Sequence, residues 1–226
     1  NHFHSGLDYR TNRREGYPVY AAADGWISRL KVQSSGFGNA IYIDHPNGYT
    51  SLYAHLQRFN ERIAQQVKDA QYQASSFEID LPIFSDAIPI KKGQIIGWSG
   101  NTGGSSGPHL HFEIRDTKTE EIINPQLFGL VIPDRIKPEI EGIYIYQTQG
   151  LPFSDHTSKR FFSVTGTNGS YRLNQQGPIK FVGEIGFGIM AFDRITPGES
   201  KHNVYATELL IDGKMIYSSI WERFSF

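Results

Sequence analysis

Gly107-Pro108-His109-Leu110-His111-Phe112-Glu113-Ile114-Arg115 is the stretch from which the fold and chemistry of this chain are most directly read. Successive side chains on a strand point to opposite faces, so residues two apart share one. Leu110, Phe112 and Ile114 then form an apolar back, while His109, His111 and Glu113 face the other way. Two imidazoles side by side, on a strand anchored by its apolar back, make a rigid site for a metal ion or for proton transfer. Taken alone, the segment also permits a pair of plain, exposed strand histidines.

Similar runs surround it. Residues 17–30, 38–55 and 88–98 are rich in Val, Ile, Tyr and Phe and read as strands. They are separated by Asp24-Gly25, Gly36-Phe37-Gly38 and the Gly-Ser-rich stretch 99–107. Asn47-Gly48 is the strongest hairpin signal. Asn60 to Ala74 breaks the pattern: it lacks Gly and Pro, is rich in Glu, Gln, Lys and Ala, and reads as the one good helix, capped by Asn60. With residues 75–87 it forms an insertion at about 60–87. Its alternating apolar residues, Phe77 to Phe84, are expected near one wall of a groove as a lid or specificity element, or else against a second domain.

Around Val131-Ile132-Pro133-Asp134-Arg135-Ile136-Lys137-Pro138 two prolines and several charges follow an apolar run, which marks a boundary. The predicted domains are 1–133 and 134–226. Strand candidates in the second fall at 141–147, 160–165, 179–193, 204–212 and 214–221, with Asp212-Gly213 a second strong hairpin turn. Short strands with regular turns and no helix are similar to an immunoglobulin-like β-sandwich. The chain opens at Asn1 without Met and stops at Phe226 inside a strand-like run, so it is expected to be a piece of something longer.

Composition excludes several classes. Lys and Arg number 22 against 23 Asp and Glu, which removes the electrostatic argument for a nucleic-acid or anionic-membrane binder. No apolar run approaches the roughly 20 residues of a membrane span. With no cysteine there is neither a disulfide framework nor a thiolate metal site, so any metal must be held by His, Asp or Glu.

A second cluster is His4-Ser5-Gly6-Leu7-Asp8. Residues four apart on an extended chain lie about 13 Å from each other, too far for one ion. Gly6 can fold the segment back so that imidazole and carboxylate converge. Combined with His-x-His this supplies His, His and Asp, three protein ligands with a fourth position open for water, as catalytic zinc sites require. His2 is an alternative to His4. His55 closes the strand Ser51-Leu52-Tyr53-Ala54 and by itself reads as a packing histidine. His45, beside Pro46-Asn47-Gly48, is expected to be solvated at a hairpin tip; His156 and His202 lie in polar loops. Glu113 could orient a ligand histidine or be a plain surface residue.

His4-x-x-x-Asp8, the Tyr53-x-His55 strand end, and Ser99-Gly100-Asn101-Thr102-Gly103 running into Gly107-Pro108-His109-Leu110-His111-Phe112-Glu113 occur in that order. Over about residues 1–130 the chain resembles the zinc metallopeptidases of the lysostaphin/LytM type, family M23 of cell-wall endopeptidases. The resemblance implies a mainly β protein whose first domain is a lysostaphin-type antiparallel β peptidase. It implies a zinc ion held by His4, Asp8 and His111, with His55 and His109 as the catalytic histidines. It further implies hydrolysis of peptide cross-links of bacterial peptidoglycan by attack of a metal-bound water, in the periplasm or cell envelope. The alternative is a non-catalytic or autoinhibited relative that regulates wall hydrolysis.

Overall fold

In the computed structural model, which describes residues 4–84, 87–148, 150–195 and 201–225, the stretch beginning at His109 is a central strand of a nine-stranded sheet. The chain divides into two compact units, residues 1–130 with 221–226, and residues 131–220.

The first unit contains β1 (Leu7–Arg10), β2 (Pro18–Tyr20), β3 (Gly25–Val32), β4 (Ala40–Asp44), β5 (Tyr49–Ala54), β6 (Leu56–Phe59), α1 (Glu61–Ala74), β7 (Ile79–Pro82), β8 (Pro89–Ile90), β9 (Ile95–Ser99), β10 (His109–Asp116) and β11 (Ile122–Ile123). The second contains β12 (Glu139–Gln147), β13 (Lys159–Thr167), β14 (Ser170–Leu173), β15 (Ile185–Phe192), β16 (Ala206–Ile211) and β17 (Lys214–Ile220). The last strand, β18 (Arg223–Phe224), pairs with β11 and so belongs to the first unit. This corrects the expected assignment of residues 221–226 to the second domain: Ile122–Ile123 presents an open edge, and Arg223 adds ion pairs to Asp116 and Glu121.

The large sheet runs β18-β11-β10-β5-β4-β3-β7, every pair antiparallel. The short strand β1 also pairs with β10, setting Asp8 opposite His111 and Arg10 opposite His109. Alternation along β10 is as the sequence predicts. Phe112 and Ile114 enter the main core with Leu30, Ile41, Ile43 and Tyr53, and Leu110 packs against it. On the other face a smaller apolar floor of Ala40, Tyr42, Leu52 and Ala54 lies under His111 and Glu113, since Ala54 and Leu52 are their register partners on β5. Each large aliphatic side chain fully buried in such a core contributes roughly 1.5–3 kcal/mol.

The predicted helix forms over Glu61–Ala74, with the Asn60 side chain accepting from the Ile63 N–H at 3.0 Å. Its buried residues, Ile63 and Val67, join the main core of the first unit, and Ile79, Leu81 and Ile83 pack on that same core. The strand β7 pairs with β3, braced by a bidentate Arg29–Asp80 pair. Strands β5, β4 and β3 separate β7 from β10, about 19 Å at sheet spacing. Ile79, Leu81 and Ile83 of the insertion thus complete the sheet and its core, on or beside a strand four places along the sheet from β10, whereas Phe77 and Phe84 at the two ends of the run are exposed.

The second unit has a four-stranded antiparallel sheet ordered β14-β13-β12-β15 and a separate hairpin, β16–β17. Asp212 and Gly213 both adopt positive φ at the hairpin turn, the backbone twist that a two-residue turn needs. A sandwich places two sheets face to face over a shared core. Here Ile145, Phe162 and Phe192 are the buried hydrophobic residues among those described.

Candidate metal centre and active site

The site is built where β1, the end of β5 and the start of β10 meet. Leu7–Arg10 lies flush on β10 because residue 6 is glycine. A Cβ there would stand 2.3 Å from the Phe112 carbonyl and 2.9 Å from Glu113 Cγ. A bend at Gly6 then turns His4 back toward Asp8. His4 Nε2 lies 3.1 Å, His111 Nδ1 2.9 Å and His109 Nε2 3.5 Å from the same oxygen, Asp8 Oδ1. His2 lies outside the described residues.

The donor atoms of His4, Asp8 and His111 all sit within 4.8 Å of one another. His111 is buried, whereas His4 and Asp8 remain exposed, so the cluster has a closed back and an open front. Two imidazole nitrogens and a carboxylate oxygen so spaced suit a metal ion that keeps a position for a further ligand.

His55, His109 and His111 are each anchored through one ring nitrogen. His55 Nδ1 stands 2.8 Å from the Thr102 carbonyl, and His109 Nδ1 stands 2.7 Å from the Gly107 carbonyl. A carbonyl only accepts, so in both rings Nδ1 carries the hydrogen and Nε2 is left with its lone pair in the neutral form. The two rings lie 4.7 Å apart, and that of His55 is 5.8 Å from that of His111. His111 is anchored through the opposite nitrogen: Nε2 meets Glu113 Oε1 at 2.8 Å, leaving Nδ1 toward Asp8.

His55 sits in the left-handed region, φ 57°, where a β-branched or bulky side chain is uncommon. That turn separates β5 from β6 and aims the ring into the site. Its N–H donates to Phe37 at 2.9 Å, and Leu56 donates to Asn39 at 3.1 Å. The Thr102 hydroxyl donates to Leu56 at 2.9 Å and accepts from the Asn39 N–H at 2.9 Å. Gly38 and Gly103, both at positive φ, let the two loops close on each other; a Cβ on Gly103 would stand 2.3 Å from the Gly38 nitrogen. The Gly-Ser loop before β10 is therefore a clamp for His55.

Electrostatics follow from these contacts. Burial raises the Asp8 carboxyl, but hydrogen bonds from His111 and His4 overcome it and hold the group well below the usual carboxylate range. Burial lowers the His111 imidazolium, yet the bonds to Asp8 and Glu113 push it up to about 9. Burial also lowers His55, only partly opposed by its bond to Thr102, so this ring stays neutral further into the acid range than an ordinary histidine. Glu113 is no surface residue: it has no exposed area, and burial, which raises its pKa, is outweighed by His111, Arg115 and Ser5.

His45 differs from the expectation of a solvated hairpin tip. It is buried, with Nδ1 on the Asp24 carbonyl and Nε2 on Ser51 Oγ, both at 2.8 Å. Sequence reasoning missed Ser5 and Thr102, revealed only by long-range pairing, and Arg115, which lies two residues from Glu113 and shares its strand face by the alternation rule.

No helix among the described residues is long and apolar enough to cross a membrane. A family model described as Peptidase family M23 matches residues 2–77 and 85–125. The chain is 36% identical over 131 residues to DD-carboxypeptidase/endopeptidase Mpg of Neisseria meningitidis serogroup B, covering 58% of this chain and 24% of that relative. It is 33% identical over 193 residues to lysostaphin of Staphylococcus staphylolyticus, covering 78% of this chain and 34% of that one. Among solved structures, the catalytic domain of lysostaphin from Staphylococcus simulans aligns with a TM-score of 0.40 at 28% identity, over 55% of this chain and 77% of the other. The chain therefore spans about a quarter to a third of the length of these two relatives. With a family model matched across more than half of its residues, on the very strands that carry the histidine and aspartate cluster, the chain belongs to peptidase family M23.

Proposed function

We propose that this chain is a zinc-dependent endopeptidase that hydrolyses peptide cross-links of bacterial peptidoglycan, in the periplasm or cell envelope. Membership of a peptidase family supports peptide hydrolysis. The single observation that carries the metal-dependent form is the convergence of His4, Asp8 and His111 donor atoms within 4.8 Å, on the face that also presents the free nitrogens of His55 and His109. A relative named peptidoglycan DD-endopeptidase ShyC, of Vibrio cholerae, 34% identical over 110 residues, supports the substrate class.

A zinc ion held there would polarise the scissile carbonyl and acidify a water molecule. His4, Asp8 and His111 would hold it. His55 and His109 are the catalytic residues of the proposal: one neutral Nε2 takes the proton from the attacking water, and the other ring, protonated, donates to the oxyanion. Their Nδ1–H bonds to Thr102 and Gly107 keep both Nε2 atoms aimed into the site during this exchange.

Digestion of purified sacculi tests the reading. The chain is incubated with sacculi of glycine-bridged and of directly cross-linked type, with and without chelator, and products are identified by mass. The expected result is chelator-sensitive cleavage of a cross-linking peptide bond in at least one wall type. No cleavage of either by the zinc-loaded chain overturns it.

A further inference from the structure

Glu113 is fully buried, and three side chains converge on it. Oε1 accepts from His111 Nε2 at 2.8 Å and from Ser5 Oγ at 2.5 Å; Oε2 accepts from Arg115 Nε at 2.7 Å and pairs with an Arg115 terminal nitrogen at 2.6 Å. A buried carboxylate is costly unless its charge is paired and its lone pairs are satisfied. Here both conditions are met, by His111 and Arg115 of the same strand, β10, and by Ser5 of the segment before β1. These contacts are additional to the β1–β10 ladder, which is made by backbone groups.

We propose that Glu113, fixed by Arg115, is the positioning residue that sets the metal affinity of this site. It holds the His111 ring with Nε2–H inward and Nδ1 toward Asp8, and through Ser5 it draws the His4–Asp8 segment onto the same anchor. The proposal rests on the reading that His4, Asp8 and His111 hold a metal. Its first support is the chemistry of the contact: an ionised carboxylate can only accept, so Nε2 carries a hydrogen toward Glu113, and the nitrogen that can give up its proton and offer a lone pair to a metal is Nδ1, facing the donor cluster. The second is connectivity. Ser5 lies between His4 and Asp8, so one hydrogen bond to Glu113 ties the exposed half of the cluster to the buried half. The third is space, because the segment can sit this close only with Gly6 next to Ser5. Partners that orient a ligand histidine through its second nitrogen commonly change metal affinity by about 10–100-fold when removed.

Zinc affinity is measured by competition with a chromophoric chelator for the wild-type chain, Glu113→Gln and Ser5→Ala, and the His111 ring of the zinc-loaded wild type is read by 15N NMR. The expected result is about 10–100-fold weaker binding in Glu113→Gln, a smaller loss in Ser5→Ala, and a ring protonated at Nε2. A purely structural role would lower the melting temperature and leave the zinc affinity of the folded chain unchanged. Wild-type affinity in both folded variants, or ligation through Nε2, overturns the proposal. Should Glu113→Gln fail to fold, Ser5→Ala decides, since it leaves the Glu113–Arg115 pair intact. A wild-type chain that takes up no zinc overturns instead the metal-site reading on which the proposal stands.

Discussion

His45 and His111 are both buried, both lie on or beside antiparallel strands of the same sheet, and both hydrogen-bond through each ring nitrogen. Their partners separate them. His45 is saturated by a backbone carbonyl and by Ser51, whose hydroxyl also bonds that of Tyr53, which in turn accepts from the Ala22 N–H. Every group in that chain is a protein group, and nothing is left over for an outside molecule. His111 spends one nitrogen on a buried carboxylate and turns the other toward an exposed one, Asp8, where two more imidazoles also point. His55 and His109 follow the same rule with carbonyl anchors. A histidine with one nitrogen tethered and the other aimed at an open cluster is equipped for chemistry. A histidine with both nitrogens tethered inside the fold is a packing element.

The largest effect that would break this distinction is catalytic. His55→Ala and His109→Ala should retain zinc yet lose about 10²–10⁴ in kcat/KM on a cross-linked peptide, the usual contribution of a general acid or base. Loss of metal in either folded variant would place that ring among the ligands.

A second expectation concerns pH. In the metal-free chain His111 holds its proton up to about pH 9, because Asp8 and Glu113 flank it against the penalty of burial. A ligating imidazole must be neutral, so zinc has to displace that proton. Apparent affinity should therefore rise with pH, about tenfold per unit while one proton is released, and flatten above pH 9. Calorimetry in buffers of different ionisation enthalpy counts the proton between pH 6 and 8. An affinity independent of pH across that window would mean that His111 is already neutral.

The smallest effect sharpens the other side of the comparison. His45→Ala should cost about 1–3 kcal/mol, from the partners left unsatisfied, read as a lowered midpoint in urea. Zinc affinity and kcat/KM of the folded fraction should stay at wild-type values.

Much of this arrangement was legible in the sequence, where the governing rule is local. The two-residue period of β10 separates Leu110, Phe112 and Ile114 from His109, His111 and Glu113, and the structure keeps that division. Asn60 caps the helix that its side chain predicts, and Asp212-Gly213 turns the hairpin that its backbone preference predicts. What the sequence conceals is non-local. Leu7-Asp8-Tyr9-Arg10 is too short and polar to read as a strand, and becomes one only because β10 has a free edge. The saturation of His45 depends on Asp24, 21 residues away, and the burial of Glu113 depends on Ser5, 108 residues away. The destination of the insertion was equally hidden, since alternating apolar residues do not say which core they enter. The return of Arg223 and Phe224 to the first unit has the same cause: a two-residue strand carries no signal until its partner is known.

The central claim is that an open cluster reached by one free nitrogen per ring, not burial or histidine content, defines the metal centre. Metal analysis of His111→Ala and His45→Ala, purified side by side after zinc loading and desalting, tests it most directly. The account predicts close to one zinc per chain in His45→Ala and essentially none in folded His111→Ala. Full zinc occupancy in His111→Ala, or its loss from a folded His45→Ala, would contradict it.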